Sequence, residues 1–311
     1  MTQAGRAAAL LLALALGATA CGSTGRTRTA TVKDRIQVSG DFAAKPSIRL
    51  KTPLDLADSS SWITTMGDGD RVGAEATAIL QLTLVNGRTG KVAISTLDKG
   101  QRPLEVPLGD QVFPSLAQAL TGRPADSRVV VASTADDAYG DDGAPQLGIE
   151  GGDPVVMVAD ILSTDPTSVL DGPSGPTLAA PATAPVVVQR EGHPVGFDFS
   201  RARKPRKLVV IPLREGTGPV VETPDRIAAD YIGQVWGAAQ PFQETFSKEP
   251  AGFSVGLGAV VKAWDRALAG RKEGARVMII CPPDLAYGAT AQPHIPANST
   301  LVFIVDVLGV G

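Results

Sequence analysis

The feature that most constrains this chain is that it repeats itself. Ala138-Tyr139-Gly140 recurs as Ala286-Tyr287-Gly288, and Ala119-Leu120-Thr121-Gly122 recurs as Ala267-Leu268-Ala269-Gly270, both 148 residues on. Val158-Ala159-Asp160-Ile161-Leu162 recurs as Ile304-Val305-Asp306-Val307-Leu308 after 146 residues. Three matches in one order at nearly one offset predict two copies of a single fold. The 311 residues, 43% of them apolar, suffice for two cores of ordinary domain size.

Residues 163–185 are rich in Pro, Gly, Ser and Thr without a hydrophobic period, the composition of a linker. They divide the chain into a first copy over 32–162 and a second over 186–311. In the second copy, Lys207–Leu213, Arg226–Val235, Arg276–Cys281 and Thr300–Leu308 carry Val, Ile and aromatic residues in the manner of strands. Pro282-Pro283 ends the third, since proline has no N–H for the ladder. Ala259–Ala269 places Val260, Val261, Trp264 and Leu268 on one helical face, and Gly270 is positioned to end that helix. The predicted class is α+β: in each copy, a curved antiparallel sheet wrapped around one short helix.

The N-terminus reads as an export signal over 1–21. Arg6 supplies the positive charge, Ala7 to Leu16 an apolar stretch too short to span a bilayer, and Ala18-Thr19-Ala20 small residues before Cys21. Small residues ending in cysteine resemble a bacterial lipobox, although Ala18 stands where leucine is usual. The expectation is a lipid on Cys21, a polar tether over 22–31 and anchoring on the outer side of a cell membrane. Plain secretion is the alternative. With Cys21 lipidated, Cys281 has no partner for a disulfide and reads as a buried thiol.

Several function classes are disfavoured. A net charge of −3 offers nothing for a phosphate backbone, so no nucleic-acid partner is expected. Two cysteines and two histidines (His193 and His294) leave little for a metal site, and no Walker, HExxH or CxxC run occurs, so neither metal nor cofactor is expected. Gly256-Leu257-Gly258 lacks the third glycine and the βαβ frame of a nucleotide loop. His193 falls near the linker with no chemical role, His294 in a loop, and Asp265 is a structural hydrogen-bonder rather than a catalyst.

Five motifs in order carry a resemblance. Asp230-Tyr231-Ile232-Gly233, the segment around Phe242, Val255 to Asp265, Pro282 to Gly288, and Ile295 to Phe303 together resemble the FKBP-type peptidyl-prolyl cis-trans isomerases over nearly all of 207–310. The resemblance implies a pocket with Trp264 as floor, Tyr231, Phe242, Val260, Val261 and Phe303 as walls, and Ile295 at the rim. Tyr287 would hydrogen-bond one substrate carbonyl, and the Val261 N–H another. Such a site needs no nucleophile. An X-Pro amide resists twisting by ~18–20 kcal/mol, and the twisted amide is less polar than the planar one, so a dry apolar cavity favours it.

Three positions depart from the family pattern: Gln243 replaces its aspartate, Lys248 a common arginine, and Ala263 the glycine before the tryptophan. The first copy departs further. It keeps Tyr139, Val112, Phe113 and Ile149, but aligns Leu116 with Trp264 and Met157 with Phe303, and the strand tyrosine is lost near Leu82–Thr83. It is expected to be degenerate. The implied function is isomerisation of X-Pro bonds in exported, proline-containing polypeptides by a monomer whose pocket also accepts macrolide inhibitors. The alternative is a polypeptide-binding or chaperone module without useful turnover.

Overall fold

The computed structural model describes residues 31–109 and 112–311. The expected signal, Cys21 and all but the last residue of the expected tether lie outside them. Among the described residues no helix is long and apolar enough to cross a membrane.

The first half begins with a helical turn, α1 (Val32–Arg35), and a hairpin of β1 (Ile36–Ser39) and β2 (Ser47–Leu50). It continues through β3 (Ser60–Thr65), β4 (Thr77–Asn86), β5 (Val92–Ser95), β6 (Leu104–Pro107), α2 (Pro114–Leu120), β7 (Arg128–Ser133) and β8 (Val155–Thr164). The second half repeats the plan. A hairpin of β9 (Val186–Arg190) and β10 (His193–Asp198) precedes β11 (Val209–Glu215), β12 (Arg226–Val235), β13 (Gln243–Glu244), β14 (Ala251–Ser254), α3 (Lys262–Leu268), β15 (Ala275–Cys281) and β16 (Leu301–Val310). The sheets are antiparallel with orders β3-β7-β8-β4-β5 and β11-β15-β16-β12-β13, and β6 and β14 extend β4 and β12 in the same way. The repeat read from the sequence is thus a repeat of topology, strand for strand.

Period-2 alternation sorts the second sheet into two buried faces. Phe303, Val305 and Val307 of β16, with Val277 and Ile279 of β15, pack toward α3. Val302, Ile304, Met278 and Ile280 pack the other way, against Phe197 of the hairpin. This explains why the central strands carry almost no polar positions. A sheet wrapped on a helix alone would leave one face wet; here each hairpin covers that face. The β9–β10 turn consists of Glu191 (φ 54°) and Gly192 (φ 86°), both left-handed, which suits the tightest hairpin loop. His193 therefore belongs to β10 rather than the linker, and its ring lies 6.2 Å from that of Phe246.

An ion pair recurs beside both hairpins. Arg128 and Asp160 face each other across β7 and β8 with 1% and 2% exposure, and Arg276 and Asp306 do so across β15 and β16. Arg128 also donates to the carbonyls of Gly40 and Ala44, which ties the first hairpin to its sheet.

The helix expected over 259–269 is shorter. It spans Lys262–Leu268, and Gly256 to Val261 form an irregular loop ahead of it. Left-handed glycines at 256 and 258 (φ 89° and 70°) hold that loop out of helical geometry. At the other end Gly270 is left-handed (φ 79°), and Arg271 donates to the Ala267 carbonyl at 3.1 Å, which stops the helix where the sequence indicated.

Ser163 and Thr164 belong to β8, and the segment after them follows the second domain instead of hanging free. Leu170, Ser174 and Leu178 donate their N–H groups to the carbonyls of Leu308, Gly274 and Leu213. The halves are also clamped directly. Arg226, at the start of β12, pairs with Glu105 of β6 and with Asp165 just after β8. The Ser163 hydroxyl accepts the Arg226 N–H and donates to the Gly311 carbonyl, both at 2.7 Å.

Candidate functional site

One concave site in the second domain gathers most of the residues singled out in the sequence. Tyr231, Phe242, Val260, Val261, Trp264, Tyr287 and Phe303 line a cavity of about 190 Å³, together with Gln243, Phe253 and Ala259. Ile295 is the exception. It is buried in the adjoining apolar cluster and does not line the cavity.

The floor follows from α3. Its inward face is Ala263, Trp264, Ala267 and Leu268, all buried, and small residues beside Trp264 let the helix sit close to the sheet. The indole meets Tyr231, Phe253 and Phe303 with ring centroids 5.2, 5.1 and 5.4 Å away and interplanar angles of 84°, 74° and 86°. Edge-to-face packing directs positive ring edges at negative faces, worth about 0.5–1.5 kcal/mol per pair beyond burial. The Trp264 Nε1–H is buried without an acceptor among the described residues.

Tyr231, Gly233 and Phe303 come from neighbouring strands, with Gly233 opposite Phe303 in the ladder. A Cβ on Gly233 would lie 2.5 Å from Phe242 and 2.8 Å from Phe303. The glycine is what allows these two rings to meet edge to face at 5.9 Å. Thr245 fixes the strand from the far side: its hydroxyl accepts the Tyr231 N–H and donates to Asp230, each at 2.9 Å. Burial raises the carboxyl of Asp230, against the Thr245 bond that lowers it.

Val260 and Val261 reach the cavity from the loop before α3, not from the helix. Asp265 orders this loop by accepting the N–H groups of Gly256 and Gly258, at 2.8 and 3.1 Å. Its role is structural, as the sequence suggested. Val261 is the N-cap of α3, and among the described residues nothing accepts its N–H. Tyr287 follows a 3-10 turn at Pro283–Leu285 and is 40% exposed, its hydroxyl unbonded among the described residues. Burial pushes the Tyr231 phenol up, with a smaller contribution from the neighbouring Tyr287. Tyr231 therefore keeps its proton and remains a donor at neutral pH. Cys281 is fully buried beneath the site, and burial pushes its thiol up to about 12, which removes it as a nucleophile.

Phe253 and Thr245 escaped the sequence reading. Both stand in short segments with weak strand signals. The repeat held a clue to Thr245, because Thr96 accepts the Leu82 N–H and donates to Gln81 in the same arrangement.

That correspondence makes Leu82 the counterpart of Tyr231, and the ladder opposite Met157 makes Leu84 the counterpart of Gly233. Leu82, Leu84, Leu116 and Met157 pack in one buried cluster. Phe113, in the place of Val261, lies edge to face on Tyr139 at 4.8 Å. In the first domain, side chains occupy the positions that surround the hollow in the second.

Residues 218–308 match the family model described as FKBP-type peptidyl-prolyl cis-trans isomerase. An FK506-binding protein of Streptomyces anulatus is 30% identical over 116 residues, covering 36% of this chain and 94% of that protein. The chain belongs to the FKBP-type isomerase family. Within it, FK506-binding protein 4 of Mycosarcoma maydis is 37% identical over 110 residues, 35% of this chain and 29% of that protein. This chain therefore spans less than a third of that relative's length. The crystal structure of the three FKBP domains of wheat FKBP73 aligns over 81% of this chain and 94% of its own, at 19% identity and a TM-score of 0.35. The family match lies in the second half, and the first half shares that half's strand order.

Proposed function

We propose that the second domain is a peptidyl-prolyl cis-trans isomerase acting on proline-containing polypeptides, with the first domain catalytically silent. The observation that carries this reading is the cavity itself: largely apolar, lined by six aromatic rings besides Val260 and Val261, with a Tyr287 hydroxyl and a Val261 N–H that bond nothing among the described residues. A prolyl ring on Trp264 excludes water from the amide that must twist. The Tyr287 hydroxyl and the Val261 N–H are then available to substrate carbonyls on either side. No proton moves and no bond breaks; the site lowers the barrier by fitting the twisted amide better than the planar one.

Leu82 and Leu84 in place of Tyr231 and Gly233 support silence of the first domain. Export, and a lipid on Cys21 that holds the protein at the outer face of a membrane, are part of the same reading, which mass spectrometry of the mature N-terminus tests. A macrolide that fills the cavity is expected to compete with the prolyl ring.

The deciding experiment is a proline-isomerisation assay on the full chain, with Trp264→Ala as control. Turnover well above the control is expected. Turnover equal to it would favour the second reading, a polypeptide-binding module that uses the same cavity. Gln243 is the observation behind that alternative, since it places an uncharged amide on the cavity wall where the family carries aspartate.

A further inference from the structure

The aromatic cavity has a neighbour at the boundary between the two domains. Ala259 lines it and also lines a second depression, of about 340 Å³, whose opposite wall is the first domain's segment from Gln101 to Glu105. Leu257 and Gly258 complete the near wall. Arg102 bridges the two walls, donating from Nη1 to the Leu257 carbonyl. The Arg226 clamp on Glu105 and Asp165 fixes the same edge from behind. The far wall includes β6, whose ladder partner among the described strands is β4 alone, and Leu104 at its start is 39% exposed. A free strand edge with an exposed apolar side chain, beside polar Gln101 and Glu105, suits the backbone and mixed side chains of an extended peptide.

We infer that this groove between the domains is a second subsite for the same client, holding the polypeptide segment that leads away from the proline. The inference rests on the isomerase reading for the identity of its occupant. A client with its prolyl ring on Trp264 passes over Ala259 and sets an apolar side chain against Leu104. The first domain then contributes to client binding from its edge, although Leu82, Leu84, Leu116 and Met157 stand where the second domain lines its cavity.

Two measurements on the full chain test this. In the first, Leu104→Asp is compared with wild type on a short proline tetrapeptide and on a long unfolded proline-containing polypeptide. The long client's KM is expected to rise about tenfold with kcat unchanged, while the tetrapeptide, which ends before the groove, is unaffected. Equal losses on both substrates would mean a distorted Gly256–Val261 loop and overturn the inference, as would no loss on either. In the second, a photo-cross-linking residue in place of Leu104 is expected to capture the long client, and to capture less of it when Trp264→Ala is added. No capture would overturn the subsite even if Leu104→Asp failed to fold. Should wild type turn over neither substrate, the isomerase reading falls alone, and cross-linking still decides the groove.

Discussion

Trp264 carries a polar hydrogen into an apolar site, and among the described residues nothing receives it. An orphaned buried donor costs about 1–3 kcal/mol, and the indole is retained for what its ring does. Trp264→Phe removes the orphan but also some packed area, and these effects oppose each other. Stability is expected to stay within about 1 kcal/mol of wild type while turnover falls. Urea unfolding beside the isomerisation assay checks this, and a large loss of stability would mean that the lost packing outweighs the relief of the orphaned donor. Tyr287 is the cleaner case, because its hydroxyl bonds nothing among the described residues. Tyr287→Phe should leave the unfolding midpoint unchanged and reduce turnover about 2- to 13-fold, the worth of one neutral hydrogen bond. A midpoint shift of several degrees would show that the hydroxyl serves the fold instead.

At the scale of elements, the loop before α3 does more than the helix. Val260 and Val261 looked helical by periodicity, yet two left-handed glycines and the Asp265 carboxylate hold them in a turn that opens toward the cavity. Asparagine at 265 offers one acceptor oxygen where the carboxylate offers two. Asp265→Asn is expected to cost about 1.5–3 kcal/mol of loop order, to speed hydrogen exchange at Gly256 and Gly258, and to raise KM more than it lowers kcat. Unchanged exchange at both glycines would remove Asp265 from this role. The hairpins show the same dependence on contacts distant in sequence. Their strands are short, and the first is held by Ile36, Val38, Ile48 and Leu50 packed on the sheet and by the buried Arg128–Asp160 pair, whose Arg128 reaches back to Gly40 and Ala44. Removing one member of such a pair strands the other, at about 3–5 kcal/mol.

The whole molecule places an acidic group in a poor setting. Asp225 leads into β12, and burial, aided by Glu222 and by Asp126 of the first domain, raises its carboxyl to about 6, against the Glu222 N–H bond that lowers it. The native state therefore holds a proton that the unfolded chain releases near pH 4. Its contribution to stability is complete below about pH 4 and is lost as pH rises through about 6. Asp225→Asn is expected to raise the thermal midpoint at pH 7 and to flatten the pH dependence between about 4 and 6. An unchanged slope in that window would assign it to other groups.

The amino-acid sequence alone determined the duplication, the strands at the centre of each sheet, the C-terminal end of α3 before Gly270, and nearly all of the aromatic site. Those features are written in local periods and in spacings that recur. Only the tertiary structure decided that Ile295 packs behind the cavity, that Phe253 and Thr245 belong beside it, that hairpins cover the second faces of the sheets, and that the Pro- and Gly-rich segment lies along the second domain. Each of those outcomes depends on which surfaces remain unburied after the strands have paired, and no short stretch of residues encodes that.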